Sequence, residues 1–330
     1  MSTPIRVAGF LAAIGAIFGI ALLVGQVVGP VDDEPAGTHD TAHGDEEAAE
    51  GEHGGGHGDG SPAEPTSQEV PGGLMVSQNG YTLGLAEPGS RAGQDRPVAF
   101  TITGPDGKPV TSYDVEHEKE LHLIAVRRDF SGFQHVHPVL DETSGVWSID
   151  LDLTPGTWRL FADFKPAGAD ALTLGTDLAV DGDYRPAGPS TENRTAKVDD
   201  YEVTLDGDLT AGSDAKLTLS VARDGQPVTD LQPYLGAYGH LVALRGGDLA
   251  YLHVHPDGEP DDGTTKPGPE VVFYAAVPTA GTYHLYLDFQ HDGVVRTAAF
   301  TVDAGGVATP GDDGPFDASP PAEHGGHAGH

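Results

Sequence analysis

The sequence predicts an all-β protein: two tandem immunoglobulin-like antiparallel β-sandwiches behind an N-terminal transmembrane helix. Three observations predict it. An uncharged apolar run lies near the N-terminus, a block of sequence recurs at a constant offset, and period-two alternation broken by turn residues fills each copy.

The helix comes first. Val7 to Val28 is 22 residues without a charge, enough at about 1.5 Å per residue to span a hydrocarbon core about 30 Å thick. Arg6 precedes the run, and Asp32, Asp33 and Glu34 follow it. The basic-side rule therefore keeps the N-terminus in the cytoplasm and everything after residue 30 outside. This predicts a single-pass cell-membrane protein with extracytoplasmic C-terminal domains, residues 1–30 being stub and anchor. A cleaved signal peptide is the rival reading. Its apolar region usually spans about 7–15 residues, and Gln26-Val27-Val28-Gly29-Pro30 is a poor cleavage site.

Residues 31–70 are acidic, rich in Gly, Ala and Pro, and almost free of large apolar side chains. Such a segment cannot bury enough surface to offset its ordering entropy and reads as a disordered tether. The 305–330 tail is similar. Between them they carry His39, His43, His53, His57, His324, His327 and His330. Imidazoles on flexible chain suit Zn, Cu(II) and Ni, so these tails read either as a metal-collecting arm or as plain solvated spacers.

Composition excludes several classes. With no cysteine among 330 residues, disulfide frameworks, thiolate metal sites and thiol nucleophiles are ruled out. A formal charge of -34 excludes unassisted nucleic-acid binding, which needs a basic surface, and suits a cation-attracting exterior.

The repeat organises the rest. Asp106-Gly107-Lys108-Pro109-Val110-Thr111 returns as Asp224-Gly225-Gln226-Pro227-Val228-Thr229, an offset of 118. The same offset carries His122 onto His240, His135 onto His253, and His137-Pro138 onto His255-Pro256. Pro155-Gly156-Thr157-Trp158 matches Ala280-Gly281-Thr282-Tyr283 at an offset of 125, the growth falling in a Gly/Pro/Asp loop around 257–269. The expected domains are 71–182 and 193–304, joined by a linker over 183–192. Strands are expected at 97–103, 146–151 and 157–162 in the first, and at 215–222, 271–277, 282–289 and 295–302 in the second. Roughly seven short strands in about 110 residues suggest an immunoglobulin-like sandwich.

Both copies contain His-x12-His-x-His-Pro. Gly246-Gly247 reads as a two-residue hairpin turn, pairing residues whose numbers sum to 493, so that His240 faces His253. The corresponding turn at Arg128-Asp129 pairs His122 with His135. Residues two apart share a strand face, so each hairpin gathers three imidazoles: His122, His135 and His137 in one copy, His240, His253 and His255 in the other. Cross-strand neighbours lie close enough for three rings to converge on one metal. Asp163 and Asp288, carboxylates in aromatic strands, are candidate fourth ligands or orienters of a histidine N–H. His117, His284 and His291 occur in one copy only and are weaker candidates. Against this stands a packing role, in which the histidines are half-buried strand residues inherited by both copies.

The anchor, the small sandwiches and the His-rich strands resemble bacterial extracytoplasmic copper- and heavy-metal-handling β-sandwich proteins of the CopC and YtkA/FixH kind. That resemblance implies a membrane-bound metal handler. The chain departs from it in lacking a free N-terminal ligand and in having only Met1 and Met75, which disfavours Cu(I) and leaves Cu(II) or Zn as the ion. Absence of cysteine also excludes a blue-copper centre. The predicted function is thus divalent metal binding, sequestration or delivery, with one histidine cluster per repeat, metal ions as partners and a membrane or surface protein as a further one. The alternative is a structural or adhesive surface pair of sandwiches. A three-histidine metallohydrolase is disfavoured, because no general base recurs at consistent spacing and no Gly-x-Ser-x-Gly elbow occurs.

Overall fold

A computed structural model describes residues 70–188, 190–252 and 254–306. The 7–28 run, residues 31–69 and 307–330 of the two tails, and His253 lie outside them. No helix occurs among the described residues, all of which fall within one compact unit.

The first repeat forms β1 (Ser77–Gln78), β2 (Tyr81–Leu85), β3 (Gly89–Arg91), β4 (Gly93–Thr103), β5 (Tyr113–Asp114), β6 (Leu121–Arg127), β7 (Gln134–Val136), β8 (Val139–Asp141), β9 (Val146–Leu153), β10 (Gly156–Pro166) and β11 (Leu172–Asp181). The second forms β12 (Thr195–Val198), β13 (Tyr201–Asp206), β14 (Ser213–Arg223), β15 (Gln226–Pro227), β16 (His240–Arg245), β17 (Tyr251–Leu252), β18 (Val254–Pro256), β19 (Glu270–Val277), β20 (Gly281–His291) and β21 (Val294–Ala304).

Each repeat is two sheets face to face. One sheet runs β1-β2-β4-β9-β8 and its partner β3-β11-β10-β6-β7. The second repeat follows the same plan with β12-β13-β14-β19-β18 and β17-β16-β20-β21. Strand β3 leaves the first sheet to pair in parallel with β11, and the short bridge Thr210 to Gly305 is likewise parallel. This order, with a first strand shared between sheets, is that of an immunoglobulin-type sandwich. Alternation explains it: β14 buries Ala215, Leu217, Leu219 and Val221 while its other face stays more open. Trp147, Trp158 and Phe100 fill the first core, and Phe273, Phe289 and Phe300 the second. Trp158 Nε1 donates to the Thr154 carbonyl at 2.8 Å, so its polar edge is satisfied inside.

The inner sheets differ from this alternation. Every residue of β6 is buried. Its odd-numbered residues Leu123 and Ala125 belong to the first core, while Ile124 and Val126 meet Phe161, Val242, Leu244, Leu249 and Tyr286 in a third cluster. That cluster joins the two repeats through the outer faces of β6–β10 and β16–β20. Each fully buried aliphatic or aromatic side chain there contributes about 1.5–3 kcal/mol as an upper figure.

The hairpin registers differ from expectation. Residues of β16 and β17 pair with numbers summing to 495, as in Ala243 with Leu252, and those of β6 and β7 to 259, as in Ile124 with His135. The reason is local side-chain chemistry. Asp248 Oδ1 accepts the Ala250 amide and Asp129 Oδ1 the Ser131 amide, so aspartate-closed turns replace two-residue ones. A change of two leaves every side chain on its face.

Candidate metal centre

The second residue of β6 is His122, whose register partner on β10 is Asp163. Strand β7 and the residue after it present His135 and His137. Strand β16 opens on His240, whose partner on β20 is Asp288. All of these lie on the faces that meet between the repeats.

Tautomers follow from the surroundings. His122 Nε2 is 3.1 Å from the Glu116 carbonyl oxygen. A carbonyl only accepts, so Nε2 carries the proton and Nδ1 is a lone pair. His135 Nδ1 donates to Asp288 Oδ2 at 2.8 Å, and in the neutral ring this makes His135 Nε2 a lone pair too. These two acceptors face each other at 3.1 Å. Such a pair repels unless a cation lies between or beside them. His137 Nε2 is buried and has no hydrogen-bond partner. One ring nitrogen from each of His122, His135 and His137 lies within 4.8 Å of the other two. In a tetrahedral shell with bonds of about 2.0–2.1 Å, two nitrogens stand about 3.3 Å apart, so the His122–His135 separation already suits a shared ion.

On the His122 ring a proton is the poorer cation. Burial, then the His135 ring, pushes His122 down from 6.5 to about 3. Burial and then His135 bring His137 to about 4. His240 is held well below its ordinary value by burial and then by His135 and His122. Rings kept neutral are ready ligands.

The first repeat brings together its expected three histidines, and the array then extends across the repeat boundary to His240 and Asp288. His135 takes its carboxylate from Asp288 of the other copy, an orienting contact of the kind that fixes a ligand tautomer. Asp288 is itself held by Thr297 Oγ1 at 2.5 Å. Asp163 accepts Thr173 Oγ1 at 2.8 Å, and burial raises its carboxyl pKa. The His240 ring stacks on that of His122, with centroids 5.6 Å apart and planes 4° from parallel, and lies 4.8 Å from His135. These stacked rings occupy equivalent repeat positions. His255 is exposed and borders a cavity beside the array. His284 stacks on Phe130 at 3.7 Å, and His291 bonds Tyr201 Oη at 2.7 Å, so neither joins the array. The Glu116 carbonyl had no sequence signal. Juxtaposition of the repeats did have one: Leu121 to Val126 lacks polar alternation apart from His122, the mark of a strand covered on both faces.

The fold and the site define a tandem immunoglobulin-type sandwich protein with a histidine array between its repeats. The chain belongs to the family described as a domain of unknown function, DUF8832, whose model matches residues 76–181 and 196–306. No curated protein matches the sequence. Among solved structures, a DUF4426 family protein of Pseudomonas aeruginosa is similar at 8% identity and TM-score 0.26, over 34% of this chain and 96% of that one. InvD of Yersinia pseudotuberculosis is similar at 13% and 0.23, over 73% and 62%. The Escherichia coli adhesin FdeC is similar at 13% and 0.21, over 70% and 66%. At such TM-scores these likenesses carry no argument about function.

Proposed function

We propose that the protein is a membrane-anchored, extracytoplasmic divalent metal binder that sequesters or delivers Cu(II) or Zn, and that it is not an enzyme. One observation carries the metal reading: the ring nitrogens of His122 and His135 face each other at 3.1 Å, with the unpartnered His137 nitrogen beside them. An all-imidazole set suits these borderline ions. The test is metal content of the full chain after loading with Zn or Cu(II) and dialysis, beside His135→Ala. Tail histidines are common to both proteins and cancel. The expected result is fewer bound ions in the variant and loss of the tightest binding step.

A second reading is a structural or adhesive pair of sandwiches. The His135–Asp288 bond favours it, because with the apolar cluster around Tyr286 it ties the repeats together without any metal. Equal metal content in both proteins would overturn the first reading and favour this one.

A further inference from the structure

Beside the triad lies a cavity of about 150 Å³, room for several waters at about 30 Å³ each. Its wall includes His117, His122, His240 and Asp163, but neither His135 nor His137. The His117 ring is 5.8 Å from that of His240 and 6.2 Å from that of His122. Rings within the triad are 5.0–5.3 Å apart, so His117 stands somewhat farther from its neighbours than the triad rings stand from one another.

His117 is placed there at a conformational cost. It and Glu118 have φ of 47° and 65° in the tight turn Glu116–Lys119, where both central positions favour Asn or Gly. The matching turn of the second repeat has Leu235 and Gly236 there, with Leu235 buried. The repeat pattern alone thus does not account for an imidazole at this position. Asp163, flanked on β10 by Ala162 and Phe164, has one hydroxyl bond from Thr173, and a buried carboxylate is costly without further compensation.

We propose that this cavity holds a second divalent cation, ligated by His117, His240 and the Asp163 carboxylate, making the array a two-metal centre with ions on either side of the His122–His240 ring pair. The proposal rests on reading the triad as a metal centre. Two imidazoles and a carboxylate form a ligand set that accepts Zn or Cu(II) with water completing the shell. The charge of -34 on the chain favours accumulation of cations there.

The experiment loads the full chain with Cu(II) and reads bound copper per chain together with the half-field electron paramagnetic resonance of a coupled pair. His117→Asn keeps a residue that tolerates the left-handed turn. Asp163→Asn removes the carboxylate, and His137→Ala removes a triad ligand. Each variant is expected to lose one ion per chain and to lose the coupled signal, while the His117→Asn/His137→Ala double variant loses two. Full copper content and an intact coupled signal in His117→Asn would overturn the second site, and loss of one ion in His137→Ala would then leave the triad standing alone. Retention of all copper by His137→Ala would sink both the triad and the two-metal centre.

Discussion

Asp288 is the residue on which the triad depends without being part of it. Its carboxylate accepts the Nδ1 proton of His135 and so turns His135 Nε2 toward His122. Asp288→Asn is expected to weaken metal binding about 10–100-fold, the usual effect of removing an orienting partner, with the fold retained. Competitive titration against a chelator measures this, and unchanged affinity would show that Asp288 serves packing alone. The buried rings also set acid stability. His122, His137 and His284 are neutral in the folded chain, with pKa values lowered by burial to about 3, 4 and 4. Unfolding returns each to about 6.5, so the unfolded chain binds more protons below that pH. Their stabilisation is complete above about 6.5 and is lost progressively as pH falls toward their folded values, with each ring contributing a slope of about 1.4 kcal/mol per pH unit. The metal-free protein should therefore show Tm falling between pH 6.5 and 5. His284→Phe, which keeps the stack on Phe130, should flatten that fall by about one proton's worth. A pH-independent Tm over this range would contradict the neutral-ring assignment.

Among the elements, the turns decide where the imidazoles sit. The Glu116–Lys119 turn supplies the carbonyl that selects the His122 tautomer, yet it places Glu118 at positive φ where the second repeat has Gly236. Left-handed backbone costs a non-glycine residue about 1–2 kcal/mol. Glu118→Gly is expected to recover about 1 kcal/mol of stability, read by chemical denaturation, and to leave metal binding unchanged. No gain would mean that the wild-type turn is unstrained. Gly175 on β11 is constrained in the opposite sense. A Cβ there would press into the Gly73 carbonyl oxygen and the Arg159 guanidinium, which binds the Gly73 and Leu74 carbonyls. Gly175→Ala should displace the 72–75 segment from the sheet edge and destabilise by about 1–3 kcal/mol.

For the whole molecule, the question is whether the two sandwiches act as one body. Tyr286 lies at the centre of the contact, stacked on Phe133 at 3.9 Å and donating its hydroxyl to the Phe130 carbonyl at 2.8 Å. Tyr286→Ala is expected to cost about 3–5 kcal/mol, as for other buried aromatics, and to split a single unfolding transition into two. Because His135 and Asp288 come from different repeats, the same variant should bind metal more weakly although no ligand is changed. A single transition with wild-type affinity would show that the contact carries no coupling.

Much of this was legible in the residues themselves. Period-two alternation and turn residues determined the all-β class, because a strand buried on one face must alternate. The spacing His-x-His determined that His135 and His137 share a face, and the aromatic strands around Asp163 and Asp288 marked those carboxylates as needing partners. What the tertiary structure decided is which groups meet. The turn lengths depended on Asp129 and Asp248 capping backbone amides, a contact that the Gly-Gly dipeptide masked, and this moved each register by two. The pairing of His135 with Asp288 across the repeats depended on the outer faces of two sheets packing against each other. That packing is a long-range choice made by summed apolar burial, so no local spacing encodes its partners, and the shared histidine array exists only once the two copies are in contact.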